Sequence, residues 1–409
     1  MVEPPTQVTA SPPLAALRYR DFRLFAAGQF AGATGFWIAT LAQGWLVLRL
    51  ANSATWLGLI GFLSSAPTLL LTPLGGVVAD RVAERRPLIA TAALLLALLL
   101  GLLAALTALS AVAVEHIAAI VLLMGVVYAF DQPARIASVA NLVPRHELLG
   151  AIGLYSVSYN ATRFVGPAVA GFAAASLGLA PTLGLAALAY AAMLATTLGL
   201  RQPLPSGRTS TLGVRATLEE GVRYVYNEPR LRVLVLLVAI NNLLSQPLLM
   251  LMPLFADRVF AVGVAGLGQL LSAVGMGALG GAVTLILLGQ TRRASPLVYG
   301  ALFAMLGCLL LFATTPPFPV ALALLFLSGW AGQIYSTSSN TLLQTIAPDQ
   351  MRGRVASLFT ITWGLGPIGA LPMGALADLT GAPWAIAAGV SLNALVALAA
   401  WRFQPRLDE

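Results

Sequence analysis

Long apolar runs alternate with brief polar interruptions along the whole chain. Breaks at Gly, Pro and charge clusters divide it into twelve hydrophobic segments, at about 22–48, 54–79, 87–110, 116–139, 148–176, 180–200, 231–254, 262–288, 295–314, 318–343, 355–377 and 382–401. Each is near the length, about 20 residues, that crosses a bilayer as a helix. None shows the short alternation of a transmembrane barrel. The pattern predicts an all-α membrane protein with twelve transmembrane helices.

The longest polar stretch, Arg201–Arg230, separates six segments from six. Leu218, Val222 and Val225 recur in it at helical spacing among Arg and Glu, which fits either a helix lying at the membrane surface or a plain linker. The two halves repeat one layout. NLVPRHELLGAIGLYS (141–156) and TIAPDQMRGRVASLFT (345–360) each follow the fourth segment of their half, and each leads to a Gly-Pro pair, Gly166-Pro167 and Gly366-Pro367. Such internal repeats are a habit of transporters. The expected organisation is a disordered cytoplasmic tail over 1–17, a six-helix bundle over 18–200, a cytoplasmic linker over 201–230 and a second, pseudo-symmetric six-helix bundle over 231–409. The Pro-rich start lacks the basic-then-apolar order of a signal peptide.

Composition strengthens this picture. Of 409 residues, 58% are hydrophobic and only 9% charged, too little polar surface for a soluble domain of this length. The net charge of +8 would suit a nucleic-acid binder, but its placement argues otherwise. Arg18, Arg20 and Arg23 precede the first segment and put the N-terminus in the cytoplasm, and with twelve crossings the C-terminus too. On that topology 19 of the 23 Arg fall on the cytoplasmic side, Arg49 and Arg258 outside, and Arg135 and Arg163 within segments. The basic surplus is a topology signal. The lone Cys308 lies in an apolar run, and His116 and His146 fall at helix ends, so neither a disulfide framework nor a metal site is expected. No HExxH, phosphate loop or Ser/His/Asp set is present, which leaves an enzyme or a cofactor without support.

Between segments 2 and 3 runs GGVVADRVAERRPL (75–88), with Gly76, Asp80, Arg81, Arg85 and Arg86. Together with twelve spans in a 6+6 layout, this resembles the loop motif of the major facilitator superfamily, with Ala83 and Glu84 departing from it. Asp80 is suited to charge-complement a helix N-terminus of the other half, with the arginines pairing across the loop as a latch on one access state. FRLFAAGQFAGATGFWIATLAQGWLVLRL, AFDQPARIASVANLVP and QTIAPDQMRGRVASLF further resemble the enterobactin-exporter and macrolide-efflux-like branch. That resemblance implies an exporter of amphipathic compounds driven by the proton gradient. Val121 stands where many proton-driven antiporters of the superfamily carry an Arg in the fourth span.

A charge in the hydrocarbon zone costs about 2.5–3.5 kcal/mol or more, so each asks for a partner or a cavity. Met124, Tyr128, Asp131, Arg135 and Ser138 share one face of segment 4, and Ser156, Asn160, Arg163 and Pro167 share one face of segment 5. Asp131 and Arg163 are equidistant in sequence from the turn between these segments, hence at similar depth. Two readings stand: a fixed ion pair of Asp131 with Arg163 or Arg135 joining segments 4 and 5, or an Asp131 that carries a proton beside an Arg. Pro133 offers a bend. The cavity of this fold is lined by the first and fourth spans of each half. Those spans offer Gln29, Phe36 and Gln43, then Tyr128 with Asn160 nearby, then Asn242, and finally Trp330 and Gln333. This lining, polar, uncharged and aromatic, suits an amphipathic solute. The glycines of segment 8 read as close-packing positions.

The expectation is an inner-membrane exporter of an amphipathic small molecule working by alternating access, coupled to protons, embedded as a monomer in lipid and binding no nucleic acid. A lipid or lysophospholipid flippase and a non-transporting sensor or scaffold are the alternatives.

Overall fold

The computed structural model describes residues 15–206, 214–288, 294–404 and 407. Its helices are α1 (Arg20–Ala51), α2 (Ala54–Arg81), α3 (Arg86–Ala108), α4 (Val114–Leu142), α5 (Leu148–Ser176), α6 (Leu179–Leu198), α7 (Val214–Asn227), α8 (Pro229–Leu244), α9 (Leu248–Leu254), α10 (Gly263–Leu288), α11 (Ala294–Ala313), α12 (Phe318–Ile346), α13 (Asp349–Trp363), α14 (Leu365–Thr380) and α15 (Ala382–Phe403). Ten helical segments are by themselves long and apolar enough to cross a membrane. α5 and the α13–α14 pair complete the twelve spans. Leu94, Leu95, Leu98 and Leu102 on α3, with Leu392, Leu395 and Leu398 on α15, remain exposed. So much uncovered Leu marks surface that lipid covers.

Two expected spans are interrupted. The seventh breaks at 245–247 into α8 and α9, where Pro247 contributes no backbone donor, and continues as one π-helical turn over Phe255–Val259 beyond Pro253. The eleventh breaks at Gly364 between α13 and α14, and a Cβ at Gly364 would run into the Leu69 side chain of α2. α4 stays helical through Pro133.

The halves repeat their packing. The second span lies on the fourth (α2 on α4, α10 on α12), the third on the sixth (α3 on α6, α11 on α15), and the first on the fifth and sixth (α1 on α5 and α6, α8 on α14 and α15). Even the turn before the sixth span is matched: Gly178 and Gly381 both have φ +90°, a conformation L side chains rarely adopt. Among the described residues the main seams between the halves are α2 against α14 and α5 against α10, with α9 also against α1 and α2.

The expected tail falls mostly outside the described residues, at 1–14. Ala15–Arg18, however, form an ordered 3-10 turn whose Ala15 and Ala16 are buried, Ala16 in the apolar cluster of Phe22 and Phe25. In the linker, 207–213 lie outside the described residues, and α7 follows. It packs on α8 and α13 with Val225 buried and Val222 and Tyr226 exposed, and Glu220 meets Arg354 at 2.5 Å.

With twelve crossings, the start of α1 and the end of α15 lie on one face of the bundle, the near face. The far face carries the loops from α1 to α2 and from α14 to α15.

Candidate functional site

The expected charges on α4 do meet, but not across helices. Asp131 and Arg135 are i,i+4 neighbours on one face, and Arg135 Nε donates to both Asp131 oxygens at 2.7 and 2.9 Å. Both side chains are buried, with the guanidinium over the Phe25 ring at 5.9 Å. Nη1 and Nη2 of Arg135 are buried without a hydrogen-bond partner. The ion pair therefore lies within α4, and its contact with another helix is the Arg135 guanidinium over Phe25 of α1. Arg163 is not part of it. Equal depth did not mean adjacency, because α4 turns onto α2 and α3 while α5 turns onto α1 and α10.

Around the pair lies an aromatic wall shared by α1, α4 and α6. Phe36 meets Tyr128 edge-on at 5.5 Å and Trp37 at 5.3 Å, and the Tyr128 and Tyr190 hydroxyls are hydrogen-bonded to each other. Gln43 Nε2 reaches Met124 Sδ at 3.6 Å. Phe25 stacks on Tyr155 of α5 at 6.3 Å. Gln29 is buried in the same half, and Asn160 donates to the Ser156 carbonyl of its own helix. Tyr190 was not singled out from the sequence. Its signal was the run Ala186, Tyr190, Met193 and Thr197, which keeps one buried face of α6.

In the other half the expected cavity residues scatter. Asn242 donates to Thr362 at 3.1 Å, beside the break in the eleventh span. Trp330 Nε1 donates to Thr284 of α10 at 3.0 Å, and Gln333 donates to Thr337 on its own helix. Trp330 thus helps hold α12 to α10, where Gly277 and Gly281 let the backbones touch. Asn393, which sequence reading passed over, donates to Asn241 at 3.0 Å and Ser245 at 2.8 Å, a buried polar knot joining α15 to α8. A hollow of about 660 Å³ between α3 and α6 is walled by Leu94, Leu98, Pro181 and Leu188 and includes none of these groups.

The near-face loop motif closes on its own half. Asp80 accepts from Arg85 Nη2 at 3.2 Å and is 47% exposed, with no hydrogen bond or ion pair to the other half among the described residues. The buried Arg85 clasps the carbonyls of Ala79 and Pro205, both at 3.0 Å, and Arg86 reaches the Leu198 carbonyl at 2.5 Å. Arg81 is exposed. Gly76 faces open space, and it is Gly75 whose Cβ would collide with the Ala129 carbonyl of α4. Among the described residues no hydrogen bond or ion pair joins the loop motif to the other half. Leu70 and Leu74 on α2, Leu149 on α5 and Leu287 on α10 are all exposed there.

At the far face the halves are joined. Asp378, near the end of α14, accepts from Ala54 N at 2.7 Å, Thr55 N at 2.8 Å, and the Ser53 and Thr55 hydroxyls at 2.7 Å each. It caps α2 from the other half, where the helix dipole favours an anion. Arg258 donates to the carbonyl and the side chain of Asn52 at 2.8 Å. Cβ atoms on Gly171 and Gly374 would lie 2.7 Å from Gly268 Cα and 2.5 Å from the Ala54 carbonyl. Asp378 was missed from the sequence, yet Gly374-Ala-Leu-Ala-Asp378 repeats the spacing of Gly76-Val-Val-Ala-Asp80.

The sequence profile of the transmembrane secretion effector family matches residues 11–409. Among characterised relatives, the multidrug efflux pump Tap of Mycolicibacterium fortuitum is 28% identical over 402 residues, covering 94% of this chain and 95% of that protein. The staphyloferrin A transporter of Staphylococcus aureus is 25% identical, covering 88% and 90%. The enterobactin exporter EntS of Shigella boydii is 28% identical, covering 84% and 83%. The fold is shared with the nucleoside transporter NupG (TM-score 0.74, 14% identity, 94% and 98% covered) and with a bacterial homologue of the human lysosomal transporter Spinster in an inward-facing, occupied conformation (TM-score 0.72, 15% identity, 96% and 98% covered). Matched over nearly its whole length and built on the same twelve-span fold, the chain belongs to the transmembrane secretion effector family of major facilitator superfamily transporters.

Proposed function

We propose that this transporter exports an amphipathic small molecule, of drug, macrolide or siderophore type, from the cytoplasm by alternating access with proton antiport. The observation that carries the reading is the asymmetry of the two faces: bridged by Asp378 and Arg258 at the far face, with no bridge among the described residues at the near face. The arginine count supports a cytoplasmic near face in an inner membrane, so that the cavity opens toward internal cargo. Tyr128 lies one turn before Asp131 on α4, and Phe36 and Gln43 of α1 extend from it the uncharged face along which cargo slides. Asp131 is the acid placed to exchange a proton, and protonation would release Arg135, whose Nη groups have no other partner.

The test is proton movement in everted vesicles on adding macrolides, siderophores and lipophilic cations, with Asp131→Asn alongside wild type. Cargo-induced proton release in wild type that the variant loses, while it still binds the compound, supports coupling through Asp131. Equal release by the variant removes Asp131 from coupling. If no compound drives proton movement or flux in wild type, antiport is wrong, and lipid flipping and sensing become the readings to pursue.

A further inference from the structure

The two arginines within the spans differ in one respect that the transport reading leaves unexplained: Arg135 has its acid and Arg163 has none. Among the described residues no carboxylate pairs with Arg163; its guanidinium lies over the face of Trp37, 5.9 Å from the ring centroid, and interacts with the Tyr159 hydroxyl one turn before it on α5. It sits fifteen residues into α5, about 22 Å along the helix, too deep to reach either interface freely. The position lies at the seam of the two halves. A Cβ at Gly275 of α10 would strike the Arg163 carbonyl, and the Arg163 side chain shares a small cavity with Trp37, Leu249, Leu271 and Val274. That cavity measures about 10 Å³, room for one water. Trp37 Nε1, in the same cavity wall, is buried and without an acceptor.

Among the described residues two donor groups thus meet at the seam, an indole N–H without an acceptor and a half-buried guanidinium without a carboxylate. An uncompensated guanidinium in the hydrocarbon zone costs about 2.5–3.5 kcal/mol at the least, and an apolar side chain would pack this seam without that penalty. We propose that Arg163 and Trp37 form an anion subsite for the cargo, which takes the carboxylate of an amphipathic aromatic acid. The inference rests on the exporter reading and narrows its cargo. A carboxylate fits better than a phosphate because a single guanidinium fork and one indole N–H offer planar, monoanionic recognition with no second cation. The cargo's aromatic body has the run Trp37, Phe36 and Tyr128 to lie against. In the recorded state the seam is too tight for it, so the carboxylate enters as the halves part.

The experiment measures binding of 1-naphthylacetate and 4-phenylbutyrate, each against its methyl ester, to the full chain in zwitterionic nanodiscs, with empty nanodiscs subtracted. Wild type should prefer the acids by about tenfold, the value of one charge-assisted contact. Arg163→Gln should erase the preference and leave ester affinity unchanged, Arg163→Lys should keep part of it, and Trp37→Phe should lower it a few-fold. Ester affinity reports that each variant is folded. No acid preference in wild type, or a preference that survives Arg163→Gln, overturns the proposal. So does full competition by chloride or inorganic phosphate, or loss of the preference when phosphatidylglycerol is added, since the anion would then be an ion or a lipid headgroup and not the cargo. Efflux of a lipophilic cation is followed in parallel. Intact efflux without acid preference refutes the subsite and spares the exporter reading, and acid preference without flux of any compound does the reverse.

Discussion

Asp80 and Asp378 end the same Gly-x-x-Ala-Asp pattern, on α2 and α14, the two helices of one seam. Their surroundings are opposite. Asp378 accepts four hydrogen bonds from the start of α2 in the other half, whereas Asp80 is held by Arg85 of its own loop and is half-exposed. We propose from this difference that the motif is a removable cap. A carboxylate at a helix end satisfies donors of the partner helix only when the halves meet at that face, and otherwise turns to its neighbouring Arg. One seam with a cap at each face can be closed at one face or the other, which is what alternating access requires.

The comparison can be broken most forcibly by sterics. Gly58 faces the Ala370 carbonyl so closely that a larger residue has no room, and backbone cannot yield as a side chain can. Gly58→Leu should hold the far face open and reduce transport to background, with the protein still in the membrane, as measured by cargo flux and by size-exclusion profile. The next effect is electrostatic. Asp378→Ala removes a cap and should cost the far-closed state about 2 kcal/mol, roughly a thirtyfold shift in the ratio of the two states. Cysteine cross-linking yield across the far face would report it, with native Cys308 replaced. Asp80→Asn should shift the ratio the other way by a smaller factor, about fivefold, because the Asp80 cap competes with its Arg85 contact. The double variant should then fall between the two. Arg258→Ala should matter least, about 1 kcal/mol or less, since its contacts with Asn52 are exposed. Flux should then stay within a few-fold of wild type.

Much of the fold was legible because bilayer thickness imposes a length on every span, and the two halves repeat one design. The i,i+4 spacing of Asp131 and Arg135 also carried their pairing in plain view. What the sequence hid were relations between helices. Depth along a helix is one-dimensional, so Arg163 read as a partner for Asp131 although it faces α10. Trp330 read as a cavity residue, and that its N–H is taken by Thr284 of α10 stayed hidden, because nothing local says which neighbour a helix face will meet. The breaks at Pro247 and Gly364 sit in apolar runs whose hydropathy hardly changes across them. Asp378 lay at a span end, where an acid looks like an ordinary interface residue, and only its echo of Asp80 sets it apart.

The account stands or falls on whether the two faces are coupled in opposite senses. Spin labels at Leu50 and Leu379 would report the far face, and labels at Leu149 and Ile286 the near face, all exposed positions. Electron–electron distances in nanodiscs would be compared among wild type, Asp378→Ala and Asp80→Asn in a Cys308→Ala background. The account predicts that Asp378→Ala lengthens the far distance and shortens the near one, and that Asp80→Asn does the opposite. Distances that move in the same direction in both variants, or in neither, would contradict it.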